Sequence, residues 1–504
     1  MNESLIIFDE PELEFRYGQR LKDPRDGLAL FGPFDADSPS HPKSLPYIVL
    51  GTVSGISQFK AWSEAMNCPA IYAPKENFRL WPPYPGFEAA FCSRWPSTPI
   101  WSYPIDEHQL LEASRTHEKH ERSYKVVDIF LKGLKIAADK LDQKPAVAVC
   151  IVPDEIYQNC RPESFVSETV GDVVSKKTVR SRQAGQLELP LYGEVNLEPY
   201  SLSPDFRRQL KARSMRHDIP LQIIRESSLR LTDKNQLGQR TLTPLSDRMW
   251  NIGTTLYYKC GGKPWRLVTA REGVCYIGIA FRRAENTERG KTACCAAQMF
   301  LNTGDGIVFL GDFGPWYSPK TKQFQLSKTS AYDLLSGVLR TYRELGGKEL
   351  TEIFLHSRST ISNEEFEGYQ KACPNGVKLV GIRVRPDLGN GFRLFRTGEM
   401  PVLRGTFLRN NERSGLLWGT GFKPRLATYD GWETPSPLQI DIQHGDAVIE
   451  RVTQDIFGLT KLNYNACRLG ESQPVTVGFS DAVGEILISN PTISERRPNF
   501  KFYI

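Results

Sequence analysis

The sequence predicts an α/β protein whose first half is built on a doubly wound sheet. Three observations carry that reading. Ala146–Val152 (AVAVCIV) is a short, wholly apolar run, the pattern of a strand covered on both faces. Helical periodicity with a basic exposed side precedes it over His117–Asp142, and Pro153, Asp154 and Glu155 open another helix after it. A basic helix and a second apolar run, Leu221–Ile224, then repeat the alternation of helix and buried strand.

Bulk properties bound the answer. The 504 residues suffice for two or three domains with substantial cores. Apolar residues make up 40% and charged ones 24%, as in ordinary globular chains. The net charge is only +6, so a polyanion site must arise from local clustering. MNESLIIFDEPELEF carries acids where a secretory leader needs bases, and no apolar run approaches a membrane span. Ten scattered cysteines without a C-x-x-C pair argue against a zinc site or a disulfide framework, and for reduced thiols in a cytoplasmic protein. Residues 1–45, rich in Asp, Pro and Gly, read as a segment that wraps a neighbouring domain rather than forming a core. The rings of Phe78–Pro104 either pack on a core or stack nucleobases.

Candidate anion-binding residues cluster in and after DFRRQLKARSMRHDIPLQII (Asp205–Ile224). Arg207 and Lys211 are four apart and share one helix face. Pro220 is expected to end that helix, and Gln222 lies near the start of the next strand. Doubly wound sheets hold ligands off the carboxyl ends of their strands, where Gln222 is expected to hang. WNIGTTLYYKCGGKPW then supplies Asn251 and Lys259. Two cations, an amide and a helix terminus suit a terminal phosphate, which wants charge and directed donors together. The alternative is a solvated basic helix and an unrelated surface lysine. From Asp172, DVVSKKTVRSRQAG is polar and basic, either an excursion over a nucleic-acid face or a solvated loop.

The second half begins near Pro264. Val274–Phe281 is a strand, and Lys291–Leu301 and Gly306–Leu310 continue a sheet around a turn at Asn302–Gly304. Ser327–Leu345 is an amphipathic helix stopped by Gly346 and Gly347, and Ile353–His356 is another buried strand.

A series of motifs runs nearly end to end: EPELEF with DPRDGLALFGP, the basic helix, the strand with Gln222, LYYKCGGKPW, VCYIGIAF, IFLHSRS, LTKLNYN, PVTVGFSDAVGE and the closing FKFYI. In this order the chain resembles a short prokaryotic Argonaute, the MID–PIWI type without a PAZ domain. The resemblance implies a Rossmann-like MID domain at 46–264 after the wrapping segment 1–45, then an RNase H-like PIWI domain at 265–504. It implies that Arg207 and Lys211 from the helix, Gln222 from the strand, Lys259 from the following turn, and Asn251 grip a guide 5′-phosphate. A Mg²⁺ beside that phosphate would be held by Gln222 and the carboxylate of Ile504.

The sequence departs from cutting members of the family. Their first aspartate follows the strand as IGID, whereas this chain has IGIA with Ala280; their second sits where HSRS places Arg358. Only Asp481 matches a late acidic position, and one carboxylate does not hold two metal ions. The expectation is binding without cleavage, with Arg282, Arg283, Lys291, Arg358 and Arg404 as backbone contacts. The resemblance further implies a guide RNA, a single-stranded DNA target and a heterodimer with an APAZ-effector protein. That effector would be a TIR or SIR2 domain that consumes NAD, or a nuclease, switched on by target pairing in antiviral defence. Two alternatives stay open: a slicing nuclease using Glu272, Asp305 or Asp312, and a general polyanion-binding scaffold.

Overall fold

The computed structural model describes residues 5–72, 78–171, 174–184, 196–233, 242–283, 293–300, 306–314, 316–318, 322–386, 392–431, 433–490 and 497–504. Within these, the side chains of residues 78, 183, 282–283, 293–300, 307, 310–313, 318 and 480–481 are not described. The opening segment carries β1 (Leu5–Ile7), β2 (Leu13–Glu14), β3 (Arg20–Leu21) and α1 (Pro24–Phe31). There follow β4 (Tyr47–Thr52), α2 (Val53–Met66), α3 (Phe87–Phe91), β5 (Trp101–Ile105), α4 (Glu107–Ser114), α5 (Lys119–Lys140) and β6 (Val147–Val152). Next come α6 (Asp154–Asn159), α7 (Lys176–Gln183), α8 (Glu198–Ser201), α9 (Phe206–Ser214), β7 (Leu221–Arg225) and α10 (Leu245–Lys259).

Strands β5-β4-β6-β7 form a wholly parallel sheet. Its residues alternate between two cores, as the period-2 geometry of a strand requires. Tyr47, Val49, Val147, Val149 and Ile151 face Phe59 and Trp62 of α2. Ile48, Leu50, Ala148 and Cys150 face Val126, Phe130 and Leu134 of α5. Each such fully buried aliphatic contributes about 1.5–3 kcal/mol. The helices start where side chains satisfy orphan amides: Thr52 accepts from Gly55 N in α2, and Glu118 from His120 and Glu121 N in α5.

The second half carries β8 (Arg266–Leu267), β9 (Val274–Arg283), β10 (Ala293–Phe300), β11 (Gly306–Gly314), the short β12 (Tyr317–Ser318) and β13 (Gln323–Phe324), α11 (Lys328–Glu344), β14 (Glu352–Ser357) and α12 (Asn363–Ala372). It ends with β15 (Lys378–Pro386), β16 (Thr406–Asn411), β17 (Ser414–Leu417), β18 (Leu438–His444), α13 (Ile449–Leu459), α14 (Val475–Gly478) and α15 (Ser480–Ile488). Nine strands join in the order β1-β16-β17-β18-β15-β14-β9-β10-β11. Within this mixed sheet β9, β14 and β15 are mutually parallel, and β10 and β11 extend it antiparallel. Helices α11 and α12 cover one face. Ile449, Val452 and Ile456 of α13 join the core on the other, which is continuous with the α2 face of the first sheet. Among the described residues no helix is long and apolar enough to cross a membrane.

Three expectations need correction, and the open alternative for the aromatic segment falls to core packing. The opening segment does more than wrap: Phe8, Leu13, Phe15 and Leu28 are buried members of the largest core. Helix α9 stops at Ser214, and a 3-10 turn leads to Asp218 at φ 54°, so the left-handed residue breaks the helix before Pro220 is reached. Part of the basic excursion, Lys176–Gln183, is a helix anchored by Arg182 to Tyr200 and Glu121. The rings of Phe87, Phe91 and Trp95 are buried, with Trp95 stacked on Tyr47 at 4.5 Å, so they are not available to bases.

The opening segment is pinned by buried charge. Glu10 accepts from Arg404 Nε at 3.0 Å and Lys461 Nζ at 2.8 Å. Arg404 also donates to Thr460 Oγ1 at 2.6 Å, Glu471 O at 2.9 Å and Gly419 O. Burial raises the Glu10 carboxyl, but Arg404 and Lys461 outweigh it and hold its pKa at about 2. Its contribution is therefore full above the ordinary glutamate pKa and is lost as pH falls towards about 2. Glu10→Ala leaves two buried cations unpaired and is expected to cost about 3–5 kcal/mol, read as a lower urea midpoint at pH 7. A midpoint within error of wild type would show that the trio is not holding the segment.

Candidate functional site

Helix α9 begins at Asp205, whose carboxylate accepts from Arg208 N, and presents Arg207 and Lys211 one turn apart. Arg207 is exposed, while Lys211 is only 3% exposed. Lys259, 1% exposed, closes the last turn of α10 rather than lying in the turn beyond it. Gln222 is the second residue of β7. The fold brings these residues together. Lys259 Nζ donates to Gln222 Oε1 at 2.8 Å, Leu221 O at 2.6 Å and Ile504 O at 2.7 Å. Lys211 Nζ donates to Tyr503 O at 3.1 Å. The tail residues Phe500, Phe502, Tyr503 and Ile504 are themselves buried, so the last segment fills one side of the cluster.

Among the described residues, no Asp or Glu side chain pairs with Arg207, Lys211 or Lys259. Burial lowers the Lys211 pKa well below the usual lysine value, and the positive charges of Arg207 and Lys259 add to the effect. Burial first and Arg207 second push Lys259 down to about 7. Three basic side chains thus converge without an Asp or Glu side chain between them among the described residues. An anion would relieve both causes.

Two features differ from the expected geometry. Gln222 pairs with Val149 in the amino half of its strand, so the cluster lies away from the strands' carboxyl ends. At those ends Thr52 donates to Glu226 at 2.9 Å and Asp154 accepts from Ser227 N at 2.9 Å. Carboxylates line that crevice and disfavour an anion. Lys211 and Lys259 come from the last turns of α9 and α10, where lysines offset the negative pole, and Arg207 is the second residue of α9, so the helices contribute side-chain cations. Asn251 is not part of the cluster. It sits eight residues, about 12 Å, back along α10, donates to Asp247 at 3.1 Å and accepts from Cys467 N at 2.9 Å.

A cation between Gln222 and Ile504 does not fit. Both oxygens already accept from the Lys259 ammonium, which fills the place the Mg²⁺ was expected to take. Among the described residues no three His, Cys, Asp or Glu side chains are grouped to hold a metal ion.

On the second sheet, Ile279 of β9 registers with Ser357 of β14. Ala280 and Arg358 are the next residues on these parallel strands, so both lie at the same end of the sheet. Gly278 lets α14 lie directly on β9, since a Cβ there would meet Thr476 O at 2.0 Å. Thr476 Oγ1 in turn bonds His356 Nδ1 at 2.9 Å, and burial pushes His356 down to about 3, so it is neutral at pH 7. Arg358 donates to Gln473 Oε1 at 2.8 Å on the wall of a cavity of about 300 Å³. Asp481 lies in α15, which packs on β9 and β10. Arg282 and Arg283 end β9, and Lys291 and Asp305 lie outside the described residues. Asp312 is in β11, with its side chain not described.

Two further expectations are overturned. Arg404 cannot reach a nucleic-acid backbone, because it is 4% exposed and fully engaged with Glu10 and its neighbours. Glu272 precedes β9, at the end of the strand opposite Ala280, and pairs with Lys348, so it cannot stand in for the missing aspartate. Two contacts have no local signal in the sequence. Tyr503 receives Lys211 through a backbone carbonyl, which no side chain announces. Arg208 meets Glu485 at 2.6 Å and ties α9 to α15.

No protein-family profile matches this sequence, and no curated protein does. Solved structures match over nearly the whole chain. The Clostridium butyricum Argonaute bound to a guide DNA (5′ deoxycytidine) and a 19-mer target DNA aligns with TM-score 0.60 at 16% identity, covering 100% of this chain and 55% of that one. Aa-Ago with externally bound siRNA aligns with TM-score 0.56 at 14% identity, covering 99% and 56%. An Aquifex aeolicus Argonaute aligns with TM-score 0.55 at 15% identity, covering 99% and 57%. The chain spans about half the length of the solved structures it matches, and at these identities what is shared is the fold.

The depressed lysines have a measurable signature. Between about pH 7 and the ordinary lysine pKa, the unfolded chain holds a proton at Lys259 that the folded chain does not, so unbound stability rises with pH. The slope is about 1.4 kcal/mol per pH unit at its steepest. Lys259→Met should remove its share of that slope between pH 7 and 9 in denaturant titrations, leaving the share of Lys211. An unchanged slope would mean that Lys259 keeps its proton.

Proposed function

We propose that this chain holds the 5′-phosphate of a guide strand at Arg207, Lys211, Gln222 and Lys259, and pairs that guide with a target without cutting it. One observation carries the reading: two buried lysines and a neighbouring arginine meet with no Asp or Glu side chain among their described partners, which are the Gln222 amide and the oxygens of Leu221, Tyr503 and Ile504. A phosphate supplies the charge they lack, and charge-assisted bonds to it are short and strong. Arg207, the exposed member, meets the phosphate first. The fold shared with an Argonaute solved with guide and target DNA supports the same reading.

Absence of cleavage is supported by Ala280 in β9 and Arg358 just after β14. The Ala280 methyl cannot ligate a metal ion, and the Arg358 guanidinium repels one. Hybridisation then supplies sequence specificity while the protein contacts backbone. The wider role rests on the sequence resemblance: an RNA guide, a single-stranded DNA target, and a cytoplasmic heterodimer with an APAZ-effector protein. Its TIR or SIR2 domain would deplete NAD, or its nuclease would degrade nucleic acid, once the target is paired.

The purified chain should prefer a 5′-phosphorylated over a 5′-hydroxyl guide by an order of magnitude or more. That preference should persist in EDTA, with a paired target recovered intact in Mg²⁺ or Mn²⁺. Lys211→Ala with Lys259→Ala should erase the preference. Equal affinity for the two wild-type complexes would leave a general polyanion scaffold, and target fragments would restore the slicing reading.

The preference should also depend on pH. Binding raises the depressed lysine pKa values, so complex formation takes up protons above about pH 7 and weakens as pH rises. Below about pH 6 the phosphate loses its second charge, so affinity should peak between these limits. A flat profile from pH 6 to 9 in fluorescence anisotropy would contradict the assignment of Lys259.

A further inference from the structure

Strand β1 is the outermost strand of the nine-stranded sheet and pairs only with β16. Phe8 N donates to Gly405 O, and the register sets Leu5, Ile6 and Ile7 opposite Leu408, Phe407 and Thr406. In an antiparallel ladder bonded and non-bonded pairs alternate, so Ile6 faces β16 with its amide and carbonyl. Leu5 and Ile7 therefore turn theirs outward. Among the described residues no strand receives them.

β1 is only three residues long, and it carries no lysine, proline or bulge to block pairing at its edge. Its outward residues are aliphatic, with Leu5 50% and Ile7 58% exposed. Leu5 lies beside Leu408, which packs against Leu416 and Trp418 in a small cluster on that face of the sheet. Behind the strand runs a groove of about 660 Å³ between the opening segment and α13, lined by Asp9, Glu12, Glu450, Arg451 and Gln454. Glu450 is paired with Arg409 at 3.0 Å, but Asp9 and Glu12 are in no salt bridge among the described residues.

We propose that β1 is a docking strand for a partner protein, which adds an extended segment with alternating apolar side chains and basic residues at its ends. The charge pattern selects this occupant over a second copy of the chain. Antiparallel self-pairing about Ile6 would set Asp9 against Glu3, and parallel self-pairing would set Asp9 against Asp9. A basic segment meets Asp9 and Glu12 favourably, and its main chain completes the bonds of Leu5 and Ile7. Its test does not depend on guide binding.

Fluorescein-labelled KVTVTVK and EVTVTVE peptides, followed by anisotropy against the whole chain, test it. The basic peptide should bind at least about tenfold more tightly than the acidic one. Ile7→Pro removes an outward donor without touching a bond to β16, and should weaken that binding about tenfold at unchanged thermal stability. In the wild-type chain the Leu5 and Ile7 amides should exchange more slowly with the basic peptide present, a readout that needs no variant. Equal affinity for both peptides, no binding of either, or unchanged amide exchange would overturn the proposal. So would a concentration-dependent homodimer abolished by Ile7→Pro, which would make a second copy the occupant.

Discussion

Two lysine amines held out of water, with no Asp or Glu side chain against them among the described residues, set the terms for the rest of this molecule. Removing a charge from water costs several kcal/mol even after the protein relaxes. That cost falls on elements that are otherwise ordinary: a capped basic helix, a second helix ending in lysine, the start of a parallel strand and a buried tail. Each is stable for its own reasons, chiefly the two cores that sandwich the first sheet. Their convergence leaves an electrostatic deficit that packing alone does not fill. The carboxylates of that sheet collect at its other end, around Glu226 and Asp154, so like and unlike charges are sorted along the strands.

The second sheet is not independent of this arrangement. Helix α15 lies on β9 and β10 and meets α9 through Arg208 and Glu485. Residues 497–504 continue the link, with Arg497 bonded to Met215 O and to Asp218 just beyond α9. The lysine cluster and the end of the sheet that carries Ala280 and Arg358 are therefore joined by two short paths of packed structure. A strand fixed at one would have its trajectory past the other set by rigid elements rather than by a loop.

What was legible in the sequence followed local periodicity. The apolar run at β6, the amphipathic α11 and the buried β14 fell within a few residues of expectation, because burial on one or both faces writes itself into 2- and 3.6-residue patterns. The four-residue spacing of Arg207 and Lys211 and the place of Gln222 were readable for the same reason. Direction and distant partners were not. Nothing local tells that Gln222 enters the site from the amino end of its strand. Arg404 looked like any surface arginine because its carboxylate lies 394 residues upstream. Asn251 turned instead to Asp247, one helical turn away, and to the Cys467 amide 216 residues downstream.

Those separations also order events during synthesis. Glu10 and Lys461 are 451 residues apart, so at about 5–20 residues per second the carboxylate waits roughly 20–90 seconds on the ribosome for its second cation. The first parallel sheet can collapse long before then, with its opening segment still searching. Lys211 and Lys259 wait for acceptors 292 and 245 residues later, so a nascent chain lacks the tail that completes their pocket. Translation therefore acts as a checkpoint: any polyanion met by a chain still short of Tyr503 and Ile504 encounters loose basic segments, and the assembled pocket belongs only to chains in which those residues have folded back.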